Sequence, residues 1–304
     1  MQLFRDLNLK TPLAGGTIAT IGNFDGIHLG HQSLIHEVEK QAKARGVTGV
    51  LVSFEPLARE YFAPRGAPGR IYNAAQRIRE LNGYNLSAVW LMRFNHHLAG
   101  LSPDDFVKHL RHGINPQAIV VGEGFRFGRD RAGNTHTLAA GGDVEVITID
   151  PVMVDGARVS SSRIRERLAA GNIAGASRLL GRPFSMYGRV VRGQALGRTL
   201  GFPTANIRLH RKTTPISGIF AVRATGAGLT QQPAVASIGT RPTVGGKDTL
   251  LEVHVFDFAG DLYGRHLDIT FVAKLRDEEK FDDLDAMTVQ MNEDARQARK
   301  LLAT

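Results

Sequence analysis

An apolar pentapeptide, Thr17–Ile21, runs directly into a glycine-rich turn and then into a helical pattern, and few folds accommodate that order. The ten residues from Gly22 to His31 read Gly-Asn-Phe-Asp-Gly-Ile-His-Leu-Gly-His. Glycines let backbone N–H groups approach an anion closely, and the start of a helix carries partial positive charge. His28 and His31 are three residues apart, so one helix face presents both. The segment predicts a strand, a phosphate-binding turn and a helix start.

The first half of the chain alternates between buried runs and amphipathic stretches. This alternation predicts a doubly wound parallel α/β sheet, whose ligands bind beyond the carboxyl ends of the strands. The glycine-rich turn occupies that position. The further predicted strands are Gly49–Phe54, Ala88–Met92, Ala118–Val121 and Val144–Ile149, and the predicted helices are Gln32–Arg45, Ala74–Leu81 and Pro103–Arg111.

The second half has a different texture. A helical pattern over Ser160–Leu180 ends at Gly181-Arg182-Pro183, and short strand-like runs separated by glycines follow it. These runs predict a small antiparallel barrel, closed by a helix after Lys280. They are Tyr187–Val191, Gly218–Arg223, Ala234–Ile238, Leu250–Phe256 and Leu267–Val272. We therefore expect a domain of residues 1–183 and a domain of residues 184–304.

Composition limits the classes of protein to which the chain can belong. Its 304 residues include no cysteine, which excludes disulfides, thiolate metal sites and cysteine nucleophiles and is compatible with a cytoplasmic location. No apolar run approaches the roughly 18 residues that span a bilayer, and no secretory signal is apparent at the N-terminus. The net charge of +9 at pH 7 admits nucleic-acid binding as a rival hypothesis. The basic residues are dispersed, however, so small anionic ligands explain the charge equally well.

Two short segments of the second half carry residues suited to phosphoryl transfer. Thr204 and Asn206 are two apart, so an extended segment places their oxygens on one side, where they could hold a Mg²⁺ ion that nucleotide phosphates also bind. Glu252 alternates with apolar neighbours and could accept a proton from a substrate hydroxyl. Each residue also has an ordinary interpretation, as a turn residue or as an exposed carboxylate on a strand.

The longer strings that contain these residues resemble a known family. The decapeptide Gly22–His31 resembles the G-x-F-D-G-x-H-x-G-H motif of the nucleotidyltransferase superfamily, in the form used by bacterial bifunctional riboflavin kinase/FAD synthetases. The segments Gly193–Asn206, Ser237–Thr243 and Leu251–Asp257 resemble the riboflavin kinase module, in that order. The resemblance implies a nucleotidyltransferase-like (Rossmann-like) parallel-sheet domain, followed by a riboflavin kinase barrel with a C-terminal helix.

The family resemblance also implies two reactions and their residues. ATP would phosphorylate riboflavin to FMN in the second domain, and ATP would adenylylate FMN to FAD with release of pyrophosphate in the first. Glu252, His28 and His31 would be catalytic, and Thr204 and Asn206 would bind Mg²⁺. Ser161 and Ser162 would also cap the helix that they open, and Arg165 would contact phosphate. The residues implied to bind nucleotide or flavin are Gly22, Asn23, Phe24, Asp25, Gly26, Gly30, Gly122, Phe125, Phe127, Ser161, Ser162, Arg165, Gly193, Gly197, Arg198, Gly201, Phe202, Pro203 and Arg241.

One position departs from the family pattern. Gly122–Gly128 resembles the loop G-x-[DN]-F-x-F-G, but Gly124 stands where the family has Asp or Asn. A lost polar contact of this kind costs about 1 kcal/mol. An alternative function is therefore a riboflavin kinase whose N-terminal domain binds nucleotide but adenylylates poorly. Under either reading the expected partners are riboflavin, FMN and ATP, with neither nucleic acid nor a membrane involved.

Overall fold

The computed structural model describes residues 1–5, 7, 13, 15–193, 200–209, 213–243 and 246–303, with the backbone alone for residues 240–243 and 246–248. The chain divides into two compact units. The first comprises Met1–Ala67 and Arg77–Val159, and the second comprises Pro68–Gln76 and Ser160–Thr304. The second compact unit thus resumes at residue 160, whereas the domain boundary predicted at residue 183 stays a prediction. Within the described residues, no helix is both long enough and apolar enough to cross a bilayer.

Six parallel strands form the sheet of the first unit, in the spatial order β1-β4-β3-β2-β5-β6. Strand β2 is buried at all five of its residues, because both faces of the sheet are covered. The parallel sheet predicted from the alternating pattern is confirmed. The strands are β1 (Gln2–Phe4), β2 (Thr17–Ile21), β3 (Thr48–Glu55), β4 (Ala88–Arg93), β5 (Pro116–Gly122) and β6 (Glu145–Ile149).

Helices cover both faces of this sheet. The helical elements are α1 (Leu29–Arg45), α2 (Ala58–Phe62), α3 (Ala74–Leu81), α4 (His96–Gly100), α5 (Pro103–Ile114), a 3₁₀ turn (Arg129–Arg131) and α6 (Thr135–Ala139). They are followed by a small hairpin of β7 (Met153–Val154) and β8 (Ala157–Arg158). Ile18 of β2 packs in the layer that contains Ile35 of α1. Its neighbour Ala19 packs in the layer that contains Leu110 of α5. Successive residues of one strand therefore enter opposite apolar layers, as the period of a strand requires.

The order of the strands defines where a ligand would bind. From β2 the sheet continues on one side through β3 and β4, and on the other side through β5 and β6. The order therefore reverses between β2 and β5. In open α/β sheets the crevice beyond the carboxyl ends at such a switch point is the usual ligand site. The loops that follow Ile21 and Gly122 both begin there.

In the part of the second unit that the structure describes, a closed antiparallel barrel is accompanied by three helices that lie wholly within the unit. The barrel order is β10-β13-β12-β11-β14-β9, which confirms the predicted barrel, and each neighbouring pair is antiparallel. Strand β10 begins at Ala205, inside the Thr204–Asn206 segment, where the pattern had indicated only an extended stretch. The elements are α7 (Ser161–Ala169), α8 (Ile173–Leu180), β9 (Ser185–Val191), β10 (Ala205–Arg208), β11 (Gly218–Gly226), β12 (Leu229–Thr243), β13 (Gly246–Val255), β14 (His266–Arg276) and α9 (Leu284–Leu302).

The C-terminal helix α9 is held to the barrel by one buried ion pair. The Arg276 guanidinium on β14 donates to both carboxylate oxygens of Asp294, with distances of 2.8–3.2 Å. This hydrogen bonding to Asp294 raises the pKa of Arg276 above its ordinary value. Because Asp294 is only 4 % exposed, loss of either partner would leave a charge buried and uncompensated.

A short segment from the first half of the sequence packs with the second unit. Asn73 donates to the carbonyl oxygens of Tyr187 (2.9 Å) and Leu209 (3.3 Å), and its Oδ1 accepts from the backbone N–H of Gln76 (2.8 Å). The Gln76 side chain donates to the carbonyl of Ser185 at 2.8 Å. These bonds account for buried polar side chains in a segment whose sequence pattern indicated only a helix start.

Candidate functional sites

The turn after β2 has an unusual backbone. Phe24 (φ 49°) and Ile27 (φ 43°) lie in the left-handed region, together with Gly26 (φ 85°). That conformation costs a non-glycine residue roughly 1–2 kcal/mol. Both side chains are fully buried, and burying a large apolar side chain contributes roughly 1.5–3 kcal/mol. The core therefore stabilises the shape of the turn.

A buried arginine also fixes this turn, and no motif in the sequence had singled it out. The Arg77 guanidinium donates to the carbonyl oxygens of Asn23 (2.8 Å) and Phe54 (2.9 Å). It also pairs with Glu55 at 3.0 Å. The Ser53 hydroxyl donates to the same Asn23 carbonyl at 3.2 Å. The loops after β2 and β3 are thereby fastened together, which keeps the predicted phosphate-binding turn in one position.

The two histidines lie together at the start of α1. His28 is the N-cap, and its Nδ1 accepts from the backbone N–H of His31 at 3.3 Å. A neutral imidazole that accepts through Nδ1 carries its proton on Nε2. The rings of His28 and His31 stack with centroids 3.6 Å apart. A β-carbon at Gly30 would lie 3.4 Å from the His28 ring, which is ordinary van der Waals contact, so Gly30 borders the histidine pair directly.

The loop after β5 is anchored by aromatic residues. Phe127 is buried and packs on Phe106, with ring centroids 5.5 Å apart, and it stacks with Phe125 at 5.7 Å. Gly124 has a φ of 72°, and no atom lies within 4 Å of the point that its β-carbon would occupy. The structure thus gives Phe127 a packing role, and the nucleotide or flavin contacts expected of Phe125, Phe127 and Gly122 stay predictions.

A cluster of four aromatic rings lies at the carboxyl ends of β3 and β4. Tyr61 contacts Phe62 (5.2 Å between centroids) and Phe94 (5.4 Å), and Phe94 contacts Phe54 at 5.7 Å. Phe62 is 67 % exposed, which is unusual for a large apolar side chain. No motif in the sequence had singled out these residues, and the cluster offers flat apolar surfaces at the ligand edge of the sheet.

The N-cap of helix α7, which belongs to the second unit, lies one residue before the predicted cap. Ser160 is the N-cap, and its hydroxyl accepts from the backbone N–H of Arg163 at 3.3 Å. The expectation that Ser161 and Ser162 cap the helix is therefore wrong, because both already lie inside its first turn. Arg165 donates through Nε to the carbonyl of Gly69 at 2.8 Å. Phosphate binding by these three residues stays a prediction.

The barrel brings together residues that are far apart in the sequence. Asn206 on β10 lies directly opposite Glu252 on β13, and Ser237 on β12 lies opposite Glu252 on the other side. Asn206 is buried and Glu252 is half-buried. A side chain at Gly193 would collide with the Asn206 amide. The absence of one therefore lets the chain at Gly193 pack closely against β10. Segments predicted separately thus form one site.

The Pro203–Thr204 corner is fastened to the same strand. His254 donates through Nδ1 to the carbonyl oxygen of Pro203 at 2.9 Å, and its ring contacts Phe202 with centroids 5.1 Å apart. His254 lies two residues beyond Glu252, on the same side of β13. Thr204 is therefore held next to the paired Asn206 and Glu252.

Of the predicted binding residues in the second half of the chain, three are not fully described, and a fourth, Gly201, has a distinctive backbone. Gly197 and Arg198 lie outside the described residues. Arg241 lies in β12, where only the backbone is described. Gly201 has a φ of 82°, so it forms a turn that favours glycine.

Comparison with protein families divides the chain in two. A model of FAD synthetases matches residues 10–163, and a model of riboflavin kinases matches residues 180–302. Curated relatives match along the full length. A protein of Pseudomonas fluorescens is 43 % identical over 100 % of this chain and 98 % of its own length, and one of Escherichia coli strain K12 is 39 % identical over 99 % and 97 %. Both are named bifunctional riboflavin kinase/FMN adenylyltransferase.

A solved structure shares the whole architecture. It is described as a macrolide-efflux protein from Streptococcus pneumoniae, and it is 31 % identical, with a TM-score of 0.83 over 98 % of this chain and 99 % of its own. That description refers to the streptococcal protein.

A relative of Haemophilus influenzae, 37 % identical over 98 % of both chains, carries the same name as the relatives from Pseudomonas fluorescens and Escherichia coli.

Proposed function

This chain belongs to the family of bifunctional riboflavin kinase/FMN adenylyltransferases, and we propose that residues 1–183 carry the adenylylation and residues 184–304 the phosphorylation. The enzyme makes FMN from riboflavin and then FAD from FMN, using ATP in both steps. The two family matches support the division of labour, since neither crosses residue 183 by more than a few positions. The absence of cysteine and the use of ATP favour a cytoplasmic location.

In the first reaction site, the histidine pair carries the proposal. A phosphate oxygen of FMN attacks the α-phosphorus of ATP, a P–O bond forms to FMN, and the bond to the β-phosphate breaks with its electron pair going to pyrophosphate. The FMN phosphate is already ionised near neutral pH, so the main demand is stabilisation of negative charge. His28 Nε2–H, His31 and the N-terminus of α1 supply donors where the strand order reverses.

The exposed aromatic cluster supplies a surface for the flavin ring. Phe62 and Tyr61 lie at the same carboxyl edge of the sheet as the histidine turn. An isoalloxazine ring is flat and apolar on both faces, and stacking on an aromatic ring contributes roughly 0.5–1.5 kcal/mol beyond area burial. We assign the FMN ring of the adenylylation reaction to this cluster.

In the second reaction site, the pairing of Asn206 with Glu252 carries the proposal. Glu252 would accept the proton of the terminal ribityl hydroxyl while that oxygen attacks the γ-phosphorus of ATP. The leaving group is ADP. Such a transfer depends mostly on positioning, and two neighbouring strands plus the His254–Pro203 hydrogen bond hold the participating residues.

The donor atoms beside Glu252 fit a magnesium ion that is also bound by nucleotide phosphates. Magnesium prefers hard oxygen ligands, and the Thr204 hydroxyl and Asn206 carbonyl are neutral oxygens adjacent to a carboxylate. Thr204 and Asn206 would hold the ion. Because Gly193 has no side chain, its backbone can lie directly against the Asn206 amide. When bound, Mg²⁺ would neutralise phosphate charge.

The direct test supplies each substrate separately to the purified protein. With riboflavin, ATP and Mg²⁺, FMN should form first and FAD second, and removal of Mg²⁺ by a chelator should stop both. With FMN and ATP, FAD and pyrophosphate should form without riboflavin. A protein that phosphorylates riboflavin but leaves FMN unchanged would instead support the alternative of a kinase with an inactive first domain.

Replacing Gly124 with asparagine is expected to raise kcat/KM for FMN adenylylation about fivefold, which corresponds to about 1 kcal/mol for one polar contact. Asparagine tolerates the φ of 72° at this position, and the site has open space. Gly142→Asn is the matched control, because Gly142 has a φ of 77° and equally open surroundings before β6. Riboflavin phosphorylation should not change in either variant, and an equal gain from both would contradict the contact.

A further inference from the structure

Arg158 is the last residue of the small β7–β8 hairpin. It lies near the end of β5, and the residue after it lies near the start of α1, which are the two sides of the switch point. Its Nη2 lies 4.0 Å from the point that a β-carbon on Gly122, the last residue of β5, would occupy. The carbonyl oxygen of the next residue, Val159, lies 3.8 Å from the corresponding point on Gly30, in the first turn of α1. The Arg158–Val159 segment therefore extends from the carboxyl end of β5 to the start of α1.

The charge of Arg158 is available to a ligand. Its side chain is exposed, and among the described residues it forms neither a hydrogen bond nor an ion pair. The first turn of α1 contains no acidic residue. An arginine guanidinium presents several N–H donors in a planar fork that matches phosphate oxygens. The guanidinium thus places a positive charge at the carboxyl end of β5, and the next residue in the chain borders the helix start that carries His28 and His31.

We propose that Arg158 binds the β- and γ-phosphates of ATP during FMN adenylylation, the pair that leaves as pyrophosphate. The inference rests on the function proposed for the first unit. When the bond between the α-phosphorus and the bridging oxygen breaks, its electron pair moves to the pyrophosphate, and the guanidinium stabilises that growing charge. His28 and His31 then act nearer the α-phosphate. Arg158 is a binding residue for the leaving group.

The reverse reaction isolates this contact, because FAD and pyrophosphate enter as separate substrates. In the full-length enzyme, Arg158→Ala should raise the KM for pyrophosphate about tenfold or more, the usual effect of losing a charge-assisted phosphate contact. The KM for FAD and the rate of riboflavin phosphorylation should stay within about twofold. Arg158→Lys keeps the charge but loses the planar fork, so its KM for pyrophosphate should rise only about threefold.

Arg45→Ala is the matched control. Arg45 ends α1 at the opposite edge of the sheet and pairs with the exposed Glu145 at 2.7 Å, a surface pair of small energetic value. This variant should leave both KM values unchanged. The thermal unfolding temperature of each variant, measured alongside, should match that of the unmodified enzyme, since both side chains lie at the surface.

Two results would overturn the inference while leaving the proposed function in place. If Arg158→Ala raised the KM for FAD and not that for pyrophosphate, the arginine would contact the part of the nucleotide that is retained. If neither KM changed, Arg158 would have no contact with the substrates. A separate result, no FAD from FMN and ATP in the unmodified enzyme, would overturn the proposed function and this inference with it.

Discussion

Replacing His28 with alanine is expected to lower the rate of FAD formation by about a hundredfold or more and to leave riboflavin phosphorylation unchanged. Loss of one donor that stabilises transition-state charge typically costs ~10²–10³ in rate. His28 is 6 % exposed, and its Nδ1 is engaged by the His31 N–H, so Nε2 is the nitrogen that can donate to phosphate. The measurement is the initial rate of FAD production from FMN and ATP, with FMN production from riboflavin followed in parallel.

Two further variants separate this role from structural effects. His28 also caps α1, and loss of an N-cap costs roughly 1 kcal/mol of stability. His28→Asn retains a good capping side chain but not the reach of an imidazole, so it should recover the unfolding temperature without recovering FAD formation. His36→Ala removes an exposed histidine from the same helix, where it pairs with Glu39 at 3.0 Å, and should affect neither reaction. Full activity in His28→Asn would show that only the cap matters.

The parallel sheet and the barrel could be predicted from the sequence because local pattern and tertiary environment agree in both. Thr17–Ile21 is buried at every residue because both of its faces are covered, and the observed strand has the same bounds as the predicted one. In the barrel, Leu251 and Val253 are fully buried while Glu252 between them is not, which reproduces the alternation in the sequence. Such periodicity directly reports burial.

Other features could not be predicted because they depend on contacts distant in sequence. Arg77 looks like an ordinary helical arginine until the fold places the Asn23 carbonyl beside it. Asn73 caps a helix locally, but its donors reach carbonyls more than one hundred residues away. Short strands are equally hard to detect, and β1 and β10, with three and four residues, have too few positions to show a period.

The candidate sites likewise contain some features that local sequence predicted and others that only the fold reveals. Family-like strings located the turn at His28 and the segments around Asn206 and Glu252, but the direct pairing of Asn206 with Glu252 comes from strand register. Register is set by the whole barrel, since a slip of one residue would turn Glu252 to the opposite face. The aromatic cluster around Phe62 and the position of Arg158 also required the fold, because each combines the ends of different strands.

Replacing Glu252 with glutamine is expected to reduce riboflavin phosphorylation by about 10²–10⁴-fold, the range for loss of a positioned proton acceptor. Glutamine has nearly the same size and can keep the backbone register opposite Asn206, but its amide cannot take the ribityl proton. FAD formation from supplied FMN should be unchanged, because the adenylylation residues lie in other elements. Both rates are measured with separate substrates, so that loss of FMN does not limit the second reaction.

The pH dependence of the residual activity distinguishes proton acceptance from positioning. If Glu252 accepts the proton, the activity of Glu252→Gln should rise with increasing pH, since hydroxide or a water molecule must replace the carboxylate. If Glu252 only orients the hydroxyl, Glu252→Gln should retain much of kcat and the pH profile of the unmodified enzyme.

Glu293→Gln is the matched control. Glu293 lies on α9, where hydrogen bonds from Arg296 and Gln297 of the same helix lower its pKa to about 2. A loss of phosphorylation in Glu293→Gln comparable with that in Glu252→Gln would mean that the assay reports damage to the barrel and not the chemistry of one carboxylate.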